Sequence, residues 1–334
     1  MSSPEPALRV LRRDDVVAAA ADVDPVAAVE ATLLAHARGA TTLPDEAYLP
    51  WRTASGASAR SLALPGAVWG DRPAVGLKVI NSSLDNPGRG LPRAQGWTFL
   101  FDPDTARPVA MLEAAWISAT RTAAYTVLSA RLLAAGVDRI AVLGCGALAE
   151  SHLDLLGAEY PDASVVVHDL DPARARALAA RRRAEVADDP RTAVGGAGLV
   201  VCTTTTTTGY LALDWLAPGA LVAHVSLDDV LPEVVTGADL VVVDDWGLVA
   251  ADDRRLLGRM LREGTLAPPG ESRPGARTVD AMLAQVVAGD HPGRARADDV
   301  VLSNPFGMGV LDVALAADVH DAAVARDLGT VLPA

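Results

Sequence analysis

The rhythm of apolar positions changes twice along the chain, and each change marks a different kind of structure. Between Asp14 and about Arg38, Val16, Val17, Ala20, Val26, Val29, Leu33 and Leu34 recur at helical spacing, which predicts one helix. Short apolar runs follow, broken by Pro-Gly and Asn-Pro-Gly turns. They predict strands over 61–64, 74–80, 97–101 and 109–112. Helical spacing returns over 117–134, with Gly136 as a stop. Strand and helix then alternate: strand 139–143, helix 144–160, strand 164–168, a helix opened by Asp171-Pro172, and strands 199–202, 221–225 and 240–243. Such alternation predicts an α/β fold with a parallel sheet covered on both faces. The C-terminal part reads as mostly helical, interrupted by the Pro/Gly-rich segment 268–274.

Length and composition narrow this further. A chain of 334 residues suits two domains. Only 4% of residues are aromatic, so Ala, Val and Leu must build the core. The net charge of −13 repels nucleic acid and anionic lipid, and an anionic substrate then needs a local cluster of cations. Cys145 and Cys202 sit in apolar, strand-like runs and cannot form a disulfide framework. The N-terminus has no basic stretch followed by an apolar one, and no apolar run approaches the roughly 18 residues a membrane span needs. The expectation is a cytoplasmic protein without membrane or nucleic-acid partners.

Of 29 basic residues, Lys78 alone is lysine. An arginine-favouring genome accounts for the others but not for the exception. Lys78 lies in the apolar run Val75-Gly76-Leu77-Lys78-Val79-Ile80, where an ammonium of tunable pKa points to chemistry, unless the exception is chance.

Gly144-Cys145-Gly146-Ala147-Leu148-Ala149 fits the G-x-G-x-x-A phosphate fingerprint between a predicted strand and helix. Gly144 makes the tight turn, Gly146 lets the backbone approach a pyrophosphate, and Ala149 permits close helix–strand packing. Asp169 follows at the end of the next strand, placed to accept from ribose hydroxyls and to repel a 2′-phosphate. No arginine adjoins it, which favours NAD over NADP. Thr203 and Thr204, just after another strand, fall on the ligand side of such a sheet. No His/Cys/Asp cluster has metal-ligand spacing, so no metal is expected.

Gly76-Leu77-Lys78-Val79, the Asp102-Pro103 turn and Ile117-Ser118-Ala119-Thr120-Arg121-Thr122-Ala123-Ala124, with a fingerprint about twenty residues on, resemble the ornithine cyclodeaminase/μ-crystallin family over nearly the whole chain. Within it, Asp85-Asn86-Pro87, Arg93-Ala94, Val243-Asp244-Asp245-Trp246 and Asn304-Pro305-Phe306-Gly307-Met308 look most like dehydrogenases of N-(2-amino-2-carboxyethyl)-L-glutamate. Those enzymes oxidise a secondary amine joining diaminopropionate to glutamate and hydrolyse the imine to 2-oxoglutarate and L-2,3-diaminopropionate, a step toward siderophores or peptide natural products.

The resemblance implies a Rossmann NAD-binding domain over 123–304. It also implies an α+β substrate-binding and dimerisation domain over 1–122 and 305–334, and a homodimer. It carries substrate carboxylates to Lys78 and Arg121, and more loosely to Arg52, which otherwise reads as a solvated arginine. Arg93 stands where cyclodeaminases tend to have threonine, and an added guanidinium suits an extra carboxylate. The implied cofactor shell is Arg121, Thr122, Gly144, Gly146, Ala147, Leu148, Asp169, Thr203, Thr204, Ser226 and Asn304. Lys78 is the implied proton carrier; Asp229 either orients the amine or water, or only caps a helix. Cyclodeaminases place a catalytic aspartate six residues before the glutamate matching Glu233, and here that position is Leu227. His224 and His291 read as packed or loop residues. The rival readings are a cyclodeaminase or related imine reductase, and a non-catalytic small-ligand binder.

Overall fold

The computed structural model describes residues 7–226 and 228–333. The chain divides into two compact units, Met1–Arg121 with Met308–Ala334, and Thr122–Gly307.

The first unit holds a mixed eight-stranded sheet in the spatial order Thr330–Pro333, Ala7–Leu11, Pro108–Glu113, Ala94–Phe101, Ala74–Ser83, Ser58–Val68 and Thr41–Thr42. Ala47–Arg52 also pairs with Ser58–Val68. The helix Gly309–Ala325 lies against this sheet because glycine lets it. A Cβ on Gly66 would come within 2.9 Å of Val310, and one on Gly309 within 3.0 Å of the Pro65 carbonyl. Leu11, Val16, Leu112, Ile117, Leu315 and Val319 fill the interface. The single helix expected from Asp14 is two, Arg13–Ala20 and Pro25–Ala37. Asp24 and Pro25 cause the break: the Asp24 carboxylate accepts from the Val26 and Ala27 N–H groups, and proline suits the first helical position.

The second unit is an eight-stranded, wholly parallel sheet in the order Glu185–Val186, Ser164–His168, Arg139–Leu143, Leu199–Cys202, Leu221–His224, Val301–Asn304, Leu240–Val243 and Ala281–Met282. Strand order reverses between Arg139–Leu143 and Leu199–Cys202, the crevice where Rossmann folds take dinucleotides. The α/β reading holds, and Val, Leu and Ala fill this core. The C-terminal part is less helical than its sequence reads: Val301–Asn304 lies inside the parallel sheet and Thr330–Pro333 edges the other one. A four-residue apolar run has no period with which to declare itself a strand. Among the described residues no helix is long and apolar enough to cross a membrane.

Candidate active site

Lys78 sits mid-strand in Ala74–Ser83 and is only 2% exposed. Its Nζ donates to Asp312 Oδ2 at 2.8 Å and to Ser118 Oγ at 3.2 Å. The other Asp312 oxygen accepts from Arg121 Nε at 3.2 Å. One buried carboxylate thus holds two buried cations. Ser118 and Arg121 come from one face of the helix Ala114–Leu133, three residues apart. Asp312 comes from Gly309–Ala325, whose close approach at Gly66 lays its first turn over the strands. Burial lowers the Lys78 pKa to about 8; Asp312 opposes that shift and Arg121 adds to it. An ammonium with three donors and two partners here retains one for a ligand.

The other expected carboxylate ligands are nearer solvent. Arg52 is exposed, donating to Ser58 Oγ at 2.8 Å and the Gly56 carbonyl at 3.2 Å. Arg93 is half-buried, and desolvation together with the charge of Arg60 lowers its pKa. Asp312 was not identified from sequence. Its signal was a lone acid in the apolar run Gly309-Val310-Leu311-Asp312-Val313-Ala314-Leu315.

In the second unit, Gly144 has φ +91°, and a Cβ there would meet the Thr204 amide at 2.9 Å. Thr203 Oγ1 donates to the Leu143 and Gly144 carbonyls at 3.1 and 2.8 Å, tying the turn to the neighbouring strand. Gly146 caps the helix Ala147–Glu159 without a side-chain cap. Gly146 and Ala147 are exposed, Leu148 is half-buried, and a Cβ on Gly146 would meet nothing within 4 Å. The first-turn N–H groups and the open space before them fit a pyrophosphate. Asp169 accepts from Cys145 N at 2.7 Å and Asp171 N at 2.8 Å, which fixes its carboxylate beside the turn. Burial and the Asp169 charge push the Cys145 thiol up to about 12, so it is no nucleophile. Gly144→Ala should abolish nucleotide binding or folding, since it adds left-handed strain to a backbone clash; fluorescence titration with NADH, alongside a melting curve, reads the outcome.

Asp229 is 0% exposed and accepts from Thr204 Oγ1 at 2.7 Å, from Tyr210 Oη at 3.1 Å and from Ser226 Oγ. That arrangement fits a clamp on the loops after two parallel strands. His224 is equally buried, and its Nε2 accepts the Asp229 N–H at 3.1 Å. Asn304 Nδ2 donates to the His224 carbonyl at 2.8 Å. Asp244 accepts from Phe306 N at 2.9 Å and Gly307 N at 2.6 Å, while the Arg255 guanidinium lies 4.7 Å over the Phe306 ring. The strings around Asp244 and Asn304 are therefore one anchored segment. Thr122 is half-buried at the start of this unit. Leu227 lies outside the described residues.

A Rossmann sheet with an open phosphate turn, and a second sheet unit that carries a buried Lys–Asp–Arg cluster, define a class of NAD-dependent α/β oxidoreductase. The chain belongs to the ornithine cyclodeaminase/μ-crystallin family, whose model matches residues 9–327. It is 33% identical over 318 residues to N-((2S)-2-amino-2-carboxyethyl)-L-glutamate dehydrogenase of Staphylococcus aureus, covering 92% of each chain. The solved structure of CmnK superposes with a TM-score of 0.91 at 45% identity, covering 98% of both chains. A Δ(1)-pyrroline-2-carboxylate reductase of Thermococcus litoralis, solved with NADH and L-proline, shares the fold at TM-score 0.84 and 22% identity, covering 96% of this chain and 99% of that one.

Proposed function

We propose that the protein is an NAD-dependent oxidoreductase that cleaves the C–N bond of a secondary-amine amino acid bearing several carboxylates, of the N-(2-amino-2-carboxyethyl)-L-glutamate type. The products are 2-oxoglutarate and L-2,3-diaminopropionate. The observation that carries this reading is the buried lysine whose pKa is lowered to about 8 while a carboxylate and a serine hydroxyl fix its position.

NAD, when bound at Gly144–Ala147 with its adenosine ribose on Asp169, supplies the hydride acceptor for the glutamate Cα. Arg121 takes the α-carboxylate beside Asp312 and fixes the reacting carbon. Neutral Lys78 accepts the proton from the substrate's secondary ammonium, which frees the nitrogen lone pair to form the imine as hydride departs. Water adds to the carbon of the resulting iminium and gives up one proton to solvent, which leaves a neutral carbinolamine. Protonated Lys78 then returns its proton to the nitrogen, and the C–N bond breaks to give ketone and amine. Asp312 and Ser118 keep Nζ in place through both transfers, while Asp229 holds the cofactor-side loops. The family likeness and the exposed Tyr48, Leu49 and Trp51 of Ala47–Arg52 support a homodimer, and the low cysteine content supports a cytoplasmic setting.

The test is incubation of the protein and NAD with that secondary amine, following NADH absorbance and identifying products by mass spectrometry. NADH, 2-oxoglutarate and diaminopropionate should appear in equal amounts. Ammonia and proline from ornithine without net NADH would replace this reading with a cyclodeaminase.

A further inference from the structure

Strand register places a row of cations on one face of the first unit's sheet. Leu64 pairs with Lys78, Arg60 with Ser82, and Arg52 with Ser58. Side chains two and four residues apart on a strand share a face, so Arg52, Ser58, Arg60, Ser82 and Lys78 all project to the same side. This is the side covered by Gly309–Ala325, which meets Leu64 and Gly66 at its start. Arg60 stands four residues beyond Leu64, about 13 Å along the strand from the Lys78 row. Burial falls along the row: Lys78 is buried, Arg60 half-buried and Arg52 exposed.

Several other arginines of this unit have carboxylates: Arg9 has Asp327, Arg72 has Asp321, Arg89 has Asp85, and Arg326 has Asp22. Arg60 does not. Its Nε donates to Ser82 Oγ at 3.3 Å, and among the described residues no carboxylate pairs with Arg60 or with Arg93. Arg93 precedes Ala94, which pairs with the Ser82 that Arg60 reaches, and after desolvation the Arg60 charge further lowers the Arg93 pKa; neither guanidinium has a counter-ion among the described residues. A half-buried like-charge pair costs stability until an anion joins it.

We infer that Arg60, with Arg93 beside it, holds a second carboxylate of the substrate while the Lys78–Arg121 cluster holds the first. This rests on the reading above and extends it: ligands with one carboxylate bind without Arg60, and those with two or more depend on it. A guanidinium's planar fork suits such a group better than an ammonium.

The experiment measures equilibrium binding to the NADH-loaded protein of three ligands: N-(2-amino-2-carboxyethyl)-L-glutamate, its γ-carboxamide, and the analogue lacking the diaminopropionate carboxylate. R60Q should weaken the parent ligand by about 10- to 100-fold. For one of the two analogues, the one missing the carboxylate that Arg60 holds, R60Q and wild type should agree within about twofold. R60K carries the same test if R60Q melts early, with an intermediate loss expected. Equal Arg60 dependence for all three ligands, or none for the parent, overturns the inference. Binding with Arg60 dependence but no NADH production on adding NAD would sink the oxidation reading alone. Failure of the wild type to bind the parent sinks both.

Discussion

Lys78→Met should lower kcat/KM by about 100- to 10,000-fold, the usual worth of a positioned proton carrier, while NADH affinity stays unchanged. The nucleotide fingerprint belongs to the other compact unit and shares no hydrogen bond with Lys78 among the described residues. Methionine fills the same apolar run without the charge or the proton. Loss of activity alone would not separate proton transfer from carboxylate binding, and Lys78→Arg makes the distinction. Arginine keeps the positive charge beside Asp312 but holds its proton at every working pH. If Lys78 carries a proton, Arg is as inactive as Met. If Arg restores turnover, the lysine is only an anion anchor and the proton path is wrong. The wild-type pH profile adds a second reading. The neutral form grows as pH rises through about 8, so kcat/KM should climb across that value and level off above it. Both variants should lose that limb.

The sequence made the two ends of the chemistry readable for different reasons. The fingerprint is local: Gly144, Gly146 and Ala149 act within one turn, and Asp169 reaches that turn by closing the next strand, so spacing alone reports their geometry. Lys78 was legible by exception, as the one lysine in an apolar strand. Asp312 was hidden because its role depends on a contact 234 residues away in sequence, and because one carboxylate within the apolar stretch Gly309-Val310-Leu311-Asp312-Val313-Ala314-Leu315 has no periodicity. What brings it to Lys78 is the close crossing at Gly66 and Gly309, which a sequence does not announce as a pair. Arg60 was hidden in a similar way, since it became notable only when register put it on the Lys78 face without a carboxylate. Asp229 was legible only as two alternatives, orienting an amine or water or capping a helix, because its three hydroxyl donors come from Thr204, Tyr210 and Ser226, whose convergence no local pattern reports.

The carboxylate between the two cations supports the second large prediction. Asp312→Asn keeps the shape and one acceptor but removes the charge that holds the Lys78 pKa up. Burial and Arg121 are then opposed only by the smaller effect of Glu46, so the Lys78 pKa must fall below 8 and the ascending limb of kcat/KM must move to lower pH. The fold should lose about 3–5 kcal/mol at neutral pH, the cost of leaving a buried Arg121 without its counter-charge. The linkage has a definite sign. The folded chain releases the Lys78 proton at about 8, whereas a lysine in the unfolded chain keeps it to its ordinary 10.5. Through that window the unfolded state binds more protons, and wild-type stability rises with pH on this account. In Asp312→Asn the window opens at lower pH, so part of the lost stability should return earlier in an alkaline titration. Denaturant unfolding across the pH range, run beside the rate profile, reads both effects. A limb that stays at its wild-type position, or moves upward, would mean that the titrating group is not Lys78, and the proposed base would have to be sought elsewhere.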